Sequence, residues 1–207
     1  MKLVTMQFIS LDGVYQGPGS PEEDRSDGFD RGGWLVPFID QVFQARIDDW
    51  TEQADAFLFG RRTYDAFAAF WPTIVNPTDK NAGQLNSRPK YVATSRPFNA
   101  GWAPVTLLTG NLVEQVSELK AQPGRELQVH GSGRLTGALM KAGLIDEVRL
   151  VMAPVVVGDG RKLFTGTPVA RPFSLREQVR TPGGLTLSSF TPTSGDAAGT
   201  YVRRERV

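Results

Sequence analysis

Twice along this chain a short apolar run ends on glycine and passes straight into a helical pattern that opens on arginine. The first junction is Leu58-Phe59-Gly60-Arg61-Arg62-Thr63-Tyr64; the second is Leu127-Gln128-Val129-His130 followed by Gly131-Ser132-Gly133-Arg134-Leu135. Strands that turn directly into helices need crossover connections, and this restricts the chain to alternating units around a mostly parallel sheet. The same junctions are anion seats. Backbone N–H groups at a helix start attract negative charge, arginine adds forked donors, and glycine lets a ligand approach the main chain. Two such seats point to a dinucleotide. The second is not the usual G-x-G-x-x-G fingerprint, because the next glycine is Gly137 and no acidic residue stands at the distance that would read a ribose.

The remaining elements fall around these junctions. Val4, Met6 and Phe8 alternate with Thr5 and Gln7, the period of a first strand. Residues 12–33 form a long glycine-rich, acidic loop, the kind of connection that serves as a lid. Leu35, Phe38, Ile39, Val42, Phe43, Ile47 and Trp50 recur at helical steps with Pro37 in the first turn, predicting one amphipathic helix. Further strands are expected at Ala54–Phe59, Lys90–Ser95, Val105–Leu108, Glu126–His130 and Glu147–Val157, the last interrupted at Pro154. Helices are expected from Arg61 to Pro72, around Leu112–Leu119 and over Arg134–Ala142, and residues 72–88 read as a polar excursion. A terminal antiparallel hairpin turns at Gly183-Gly184, Thr191–Thr200 reads as a loop, and Tyr201-Val202 offers a last strand. The expectation is a single α/β domain over residues 1–207, with ligands beyond the carboxyl ends of the central strands.

Composition removes several functions. With 23 basic and 22 acidic side chains, a net charge of +1 and no long basic run, nothing suggests a nucleic-acid surface. The absence of cysteine removes disulfides, thiol catalysis and thiolate metal sites. His130 is the only histidine and is read as a structural residue at a strand end. The acidic run Glu22, Glu23, Asp24, Asp27 and Asp30 lacks the spacing of a calcium loop and reads as a solvated lid, so no metal is expected. No segment approaches a membrane span and the first residues lack a signal-peptide core, so a cytoplasmic chain is expected.

Several segments, in order, resemble the dihydrofolate reductase fold, and within it the reductase domain of bacterial riboflavin-biosynthesis deaminase-reductases and their stand-alone relatives. They are Ser10-Leu11-Asp12-Gly13-Val14, Phe59–Tyr64, Tyr91-Val92-Ala93-Thr94-Ser95-Arg96-Pro97, Gly131–Leu135, Leu144-Ile145-Asp146-Glu147 and Ala153–Gly160. The resemblance covers nearly the whole chain and implies NADPH as hydride donor. It places Gly60, Arg61, Arg62 and Thr63 at the cofactor phosphates and brings Ser95 and Arg96 onto them from the next strand. It sets Gly131, Ser132, Gly133, Arg134 and Leu135 at the pyrophosphate, where relatives often carry a glycine pair or triplet. Asp12-Gly13 is either a plain turn or a shaper of the loop over the nicotinamide.

The resemblance also implies a carboxylate on the first helix to pair with the substrate ring, and Asp40 is the nearest candidate. The expected substrate is a small nitrogen heterocycle of pterin or ribosylated pyrimidine type; without cysteine, the deaminase half of the bifunctional enzymes is excluded. Two other classes stay open at this point: a nucleotide-binding regulatory module without turnover, and a structural subunit pairing through a strand edge. A homodimer is compatible with each.

Overall fold

The computed structural model describes residues 1–165 and 170–195. Strands β1 (Lys2–Ser10), β2 (Ala54–Gly60), β3 (Lys90–Ala93), β4 (Val105–Leu108), β5 (Glu126–His130), β6 (Glu147–Ala153), β7 (Phe173–Arg180) and β8 (Thr186–Pro192) alternate with helices α1 (Gln41–Glu52), α2 (Arg61–Phe70), α3 (Lys80–Ser87), α4 (Leu112–Ala121) and α5 (Gly133–Lys141). They form one sheet in the order β4-β3-β2-β5-β1-β6-β8-β7. Pairing is parallel from β4 to β6 and antiparallel at β6–β8 and β8–β7, as the alternating pattern and terminal hairpin predict.

Strand alternation sorts the core onto two faces. Leu3, Leu58, Leu127 and Val129 lie under α4 and α5 with Val116, Leu119 and Leu139. On the other face Met6 and Val151 meet Phe43, Ile47 and Trp50 of α1, and Phe57 and Phe59 meet Tyr64 and Leu85 of α2 and α3. Phe57 and Phe59 are fully buried, each contributing about 2–3 kcal/mol of transfer free energy. A polar seam crosses this second face: Arg149 on β6 donates to Glu126 on β5 at 2.9 and 2.7 Å, with both side chains buried.

The segment read as one helix from Leu35 is two elements. Val36–Phe38 forms a single 3-10 turn around Pro37, Ile39 and Asp40 are extended, and α1 starts at Gln41. The break comes from Asp40, whose carboxylate accepts the Phe43 N–H at 2.8 Å and so caps the helix. The polar excursion over 72–88 contains α3, which lacks a long apolar stripe but is capped by Asp79 and buries Asn81, Ala82 and Leu85. The buried Lys90 closes it, its ammonium donating to the carbonyls of Leu85, Asn86 and Arg88 at 2.9, 3.2 and 2.8 Å. Burial pushes that ammonium down to about 8. The strand expected at Tyr201-Val202 and the second half of the loop Thr191–Thr200 lie outside the described residues.

The β7–β8 turn docks onto the entrance of α1. Asp40 accepts the Gly183 N–H at 2.6 Å, and a Cβ on Gly183 would stand 2.2 Å from the Phe38 carbonyl oxygen. Gly183→Ala is therefore expected to destabilise the protein by about 1–3 kcal/mol, read from urea unfolding, by pushing the hairpin off α1.

Candidate functional site

β2 and β5 are parallel neighbours with Leu58 opposite Val129, so Gly60 and Gly131 leave the sheet side by side. Ser132 stitches the two turns together: its Oγ accepts the Gly60 N–H at 2.8 Å and donates to Thr63 Oγ1 at 2.7 Å. To do so the chain takes two consecutive left-handed residues, Gly131 at φ 54° and Ser132 at φ 59°. The serine is costly there, since only glycine adopts this region freely, and the two hydroxyl bonds offset the strain. Neither α2 nor α5 has a side-chain cap, so both helices open with free N–H groups beside each other.

These junctions border one cleft of about 950 Å³, lined by all of Gly60–Thr63 and Gly131–Leu135. The structure thus brings nine of the expected residues together. Ser95 and Arg96 are not in the lining; they lie past the end of β3, where Ala93 pairs with Gly60, in a tight turn in which Thr94 Oγ1 contacts Arg96. Arg61 places its guanidinium 3.5 Å over the Phe98 ring and shares its Nε–H between the two carboxylate oxygens of Asp65, each at 2.8 Å.

Asp40 needs correction. It does not line the cleft, and its carboxylate is committed to the α1 cap and the Gly183 N–H. The Phe43 N–H, followed by Gly183, holds its pKa below the ordinary carboxylate range, the opposite of what a proton donor needs.

Loop 12–33 covers the cleft with residues Tyr15–Gly19 and Glu22–Ser26 among its lining. Asp12 ties the loop down by accepting from Ser10 Oγ at 2.6 Å and from the N–H groups of Val157 and Gly158 at 3.1 and 3.0 Å. The Ser10 hydroxyl, with those amides, keeps its carboxyl strongly acidic. Tyr15 lies on Gly133, where a Cβ would come within 2.6 Å of its ring. The acidic run is solvated at Glu22, Asp27 and Asp30, but it is also tied to the body of the protein: Arg161 pairs with Asp24 and, at 2.9 Å, with Asp27. Among the described residues no group of three carboxylate or histidine side chains is arranged to hold a metal. Burial pushes the pKa of Glu23, also in the lining, upward, while at Asp24 the bonds from Ser26 and Arg161 outweigh desolvation and lower it.

The other end of the cleft is aromatic. Phe8, Phe67, Phe70 and Trp71 line it with Met6 and His130. Phe70 is 55% exposed, although its ring lies only 5.2 Å from that of Trp71. His130, read from sequence as structural, is buried at the cleft floor with Nε2 2.9 Å from Gln128 Oε1. Burial, reinforced by the charge of Arg149, pushes it down to about 3. Sequence reasoning missed Tyr15 and Arg161, because each is defined by a partner distant in the chain.

The RibD C-terminal domain family model matches residues 2–187. The uncharacterized protein YyaP of Bacillus subtilis (strain 168) is 33% identical over 158 residues, 75% of this chain and 76% of that protein. The crystal structure of a candidate riboflavin biosynthesis protein from Shewanella sp. PV-4 superposes with a TM-score of 0.68 at 22% identity, covering 94% of this chain and all of that one. A dihydrofolate reductase from Enterococcus faecalis, complexed with NADP(H) and RAB-propyl, gives a TM-score of 0.56 at 14% identity over 93% of this chain and 97% of that one. The fold is dihydrofolate reductase-like.

Two outcomes follow from the ionisable groups. His130 is neutral when folded but takes up a proton near its ordinary pKa of 6.5 when unfolded, so the unfolded state binds more protons between pH 6.5 and about 3. Stability should therefore fall as pH drops through that window, the histidine contributing a slope approaching ~1.4 kcal/mol per pH unit. His130→Phe should flatten it in denaturation series at several pH values. Asp40→Ala should lower the melting temperature yet leave ligand affinity in the cleft unchanged, a separation that a calorimetric scan beside a binding titration reads directly.

Proposed function

This chain belongs to the RibD C-terminal domain family, and from that membership we propose that it is an NADPH-dependent reductase of a small nitrogen heterocycle, of pterin or ribosylated pyrimidine type. The observation that carries the reading is the pair of uncapped helix openings, stitched by Ser132 and facing one cleft whose other end is aromatic. The residues present fit such a cofactor. Two successive left-handed residues turn backbone N–H groups into a concave anion seat, and two helix dipoles add to it. Arg62 and Arg134 supply cationic donors at the same turns, and Arg61, over Phe98, lines the cleft beside them; an extra phosphate seated among these cations would favour NADPH over NADH.

When bound, the cofactor supplies the hydride, and the protein positions and encloses. Phe67, Phe70 and Trp71 offer flat apolar surface to a planar ring. The loop held by Asp12 and Arg161 screens the cleft from water. With Asp40 committed elsewhere, Glu23 is the cleft acid assigned to deliver the accompanying proton: burial pushes its pKa upward, against the Gly19 N–H that Oε2 accepts at 2.5 Å. A second reading, a nucleotide-binding module without turnover, draws support from the removal of Asp40 from the cleft.

Titration with NADPH should quench tryptophan fluorescence saturably, and Trp71→Phe should remove most of the signal because Trp71 alone of the 4 tryptophans lines the cleft. Arg62→Ala should weaken NADPH about tenfold, the worth of one charge-assisted contact. Oxidation of NADPH against pterins and aminopyrimidines decides between the two readings. In the reductase, Glu23→Gln should slow turnover at least ~100-fold without changing NADPH affinity. Absence of any saturable quenching sinks both.

A further inference from the structure

We propose that His130 determines substrate specificity: its imidazole stands at the aromatic end of the cleft as a hydrogen-bond acceptor of fixed tautomer, so the ring seated there must present an N–H donor, as a lactam or amino-substituted heterocycle does. This deepens the reductase reading and rests on it for the identity of the ligand as substrate.

The assignment comes from counting donors and acceptors backward along β5. Arg149 donates to both oxygens of Glu126 at 2.9 and 2.7 Å in a buried pair, so Glu126 is an ionised carboxylate that can only accept. Gln128 must meet it with its amide nitrogen, and Nε2 does donate to Glu126 Oε2 at 2.7 Å and to the Trp50 carbonyl at 2.6 Å. Both partners are acceptors, so the amide cannot be turned over. That leaves Gln128 Oε1 facing His130 Nε2 at 2.9 Å. An amide oxygen accepts, so Nε2 carries the proton and Nδ1 of the neutral ring is a bare lone pair.

Nδ1 finds no partner among the described residues. His130 lines the cleft, and Nδ1 is not among the polar side-chain atoms of the described residues that are sealed from solvent without a partner, which are Gln7 Oε1 and Thr51 Oγ1. The ring has no easy escape into its cationic form. The edges and faces of Phe57, Phe59 and Phe67 surround it at centroid distances of 5.1, 6.4 and 6.4 Å, and the guanidinium of Arg149 stands behind Glu126. A cationic histidine would demand an acceptor from the substrate; this one demands a donor. Leaving it unpaired against a bound ring should cost tenfold to about a hundredfold in affinity.

The single histidine makes the test specific to one residue. Protein labelled with 15N-histidine is observed by NMR from pH 5 to 8, free and with NADPH, and then with uracil or 1,3-dimethyluracil, which share a ring but differ in its N–H groups. The expected result is a proton on Nε2 throughout, a Nδ1 resonance that moves upfield with uracil and not with the dimethyl compound, and uracil bound at least tenfold more tightly. His130→Phe should shrink that preference to less than about threefold. A proton on Nδ1 in the free protein, a ring that titrates in this interval, or an Nδ1 resonance indifferent to uracil overturns the proposal. Failure of NADPH to quench tryptophan fluorescence in the same samples would instead count against the reductase reading, leaving the tautomer to be judged by the spectrum.

Discussion

β2 and β5 run parallel with Leu58 opposite Val129, and this pairing sets the level at which the chain leaves the sheet on both strands. Because side chains alternate with a period of two, a slip of one residue would send Leu58 and Val129 to the opposite face of the sheet, away from α4 and α5, as well as separating Gly60 from Gly131. The register is pinned at both ends. At the start of β2 the irregularity between Ala54 and Ala56 turns out Asp55, which accepts the Arg125 N–H at 2.7 Å and pairs with the guanidinium groups of Arg125 and Arg88. At the other end the Ser132 hydroxyl joins the two turns. The cleft inherits its shape from a strand pairing that contributes few of its walls.

The strand-to-helix junctions were legible because their signal is local: glycine, arginine and the change of period lie within a few residues. The same holds for β1, α4, α5 and the Gly183-Gly184 turn. Asp40 was misread for the same reason. Its spacing from Phe38 and Phe43 fits a helix interior, and only the distant Gly183 reveals that the carboxylate joins a hairpin to a helix start. α3 was missed because its burial rests on Asn81, Ala82 and Leu85 rather than an apolar stripe. Arg161 and the acidic loop are separated by more than a hundred residues, so neither announces the other.

The polar seam from Arg149 through Glu126 and Gln128 shows how a buried charge pair can serve orientation more than stability. Ion pairs of this kind gain little over well-packed apolar side chains, yet each member here leaves the next a single choice of donor or acceptor. Satisfying them uses the Trp50 carbonyl at the end of α1 as well, so the seam also tethers that helix to the sheet.

The place of β1 in the middle of the sheet has a further consequence for how the chain is made. Its partners, β5 and β6, follow it by more than a hundred residues, with Lys2 opposite Glu126 and Ser10 opposite Ala153. During synthesis the apolar face of Val4, Met6 and Phe8 must wait until β5 and β6 have left the ribosome, while β2, β3 and β4 are already available to one another. The three neighbouring strands β4, β3 and β2 can therefore assemble first, and insertion of β1 between two late strands closes the molecule. An early-made strand with an unpaired edge on either side is the segment most in need of a chaperone, and the one through which a stalled chain would aggregate.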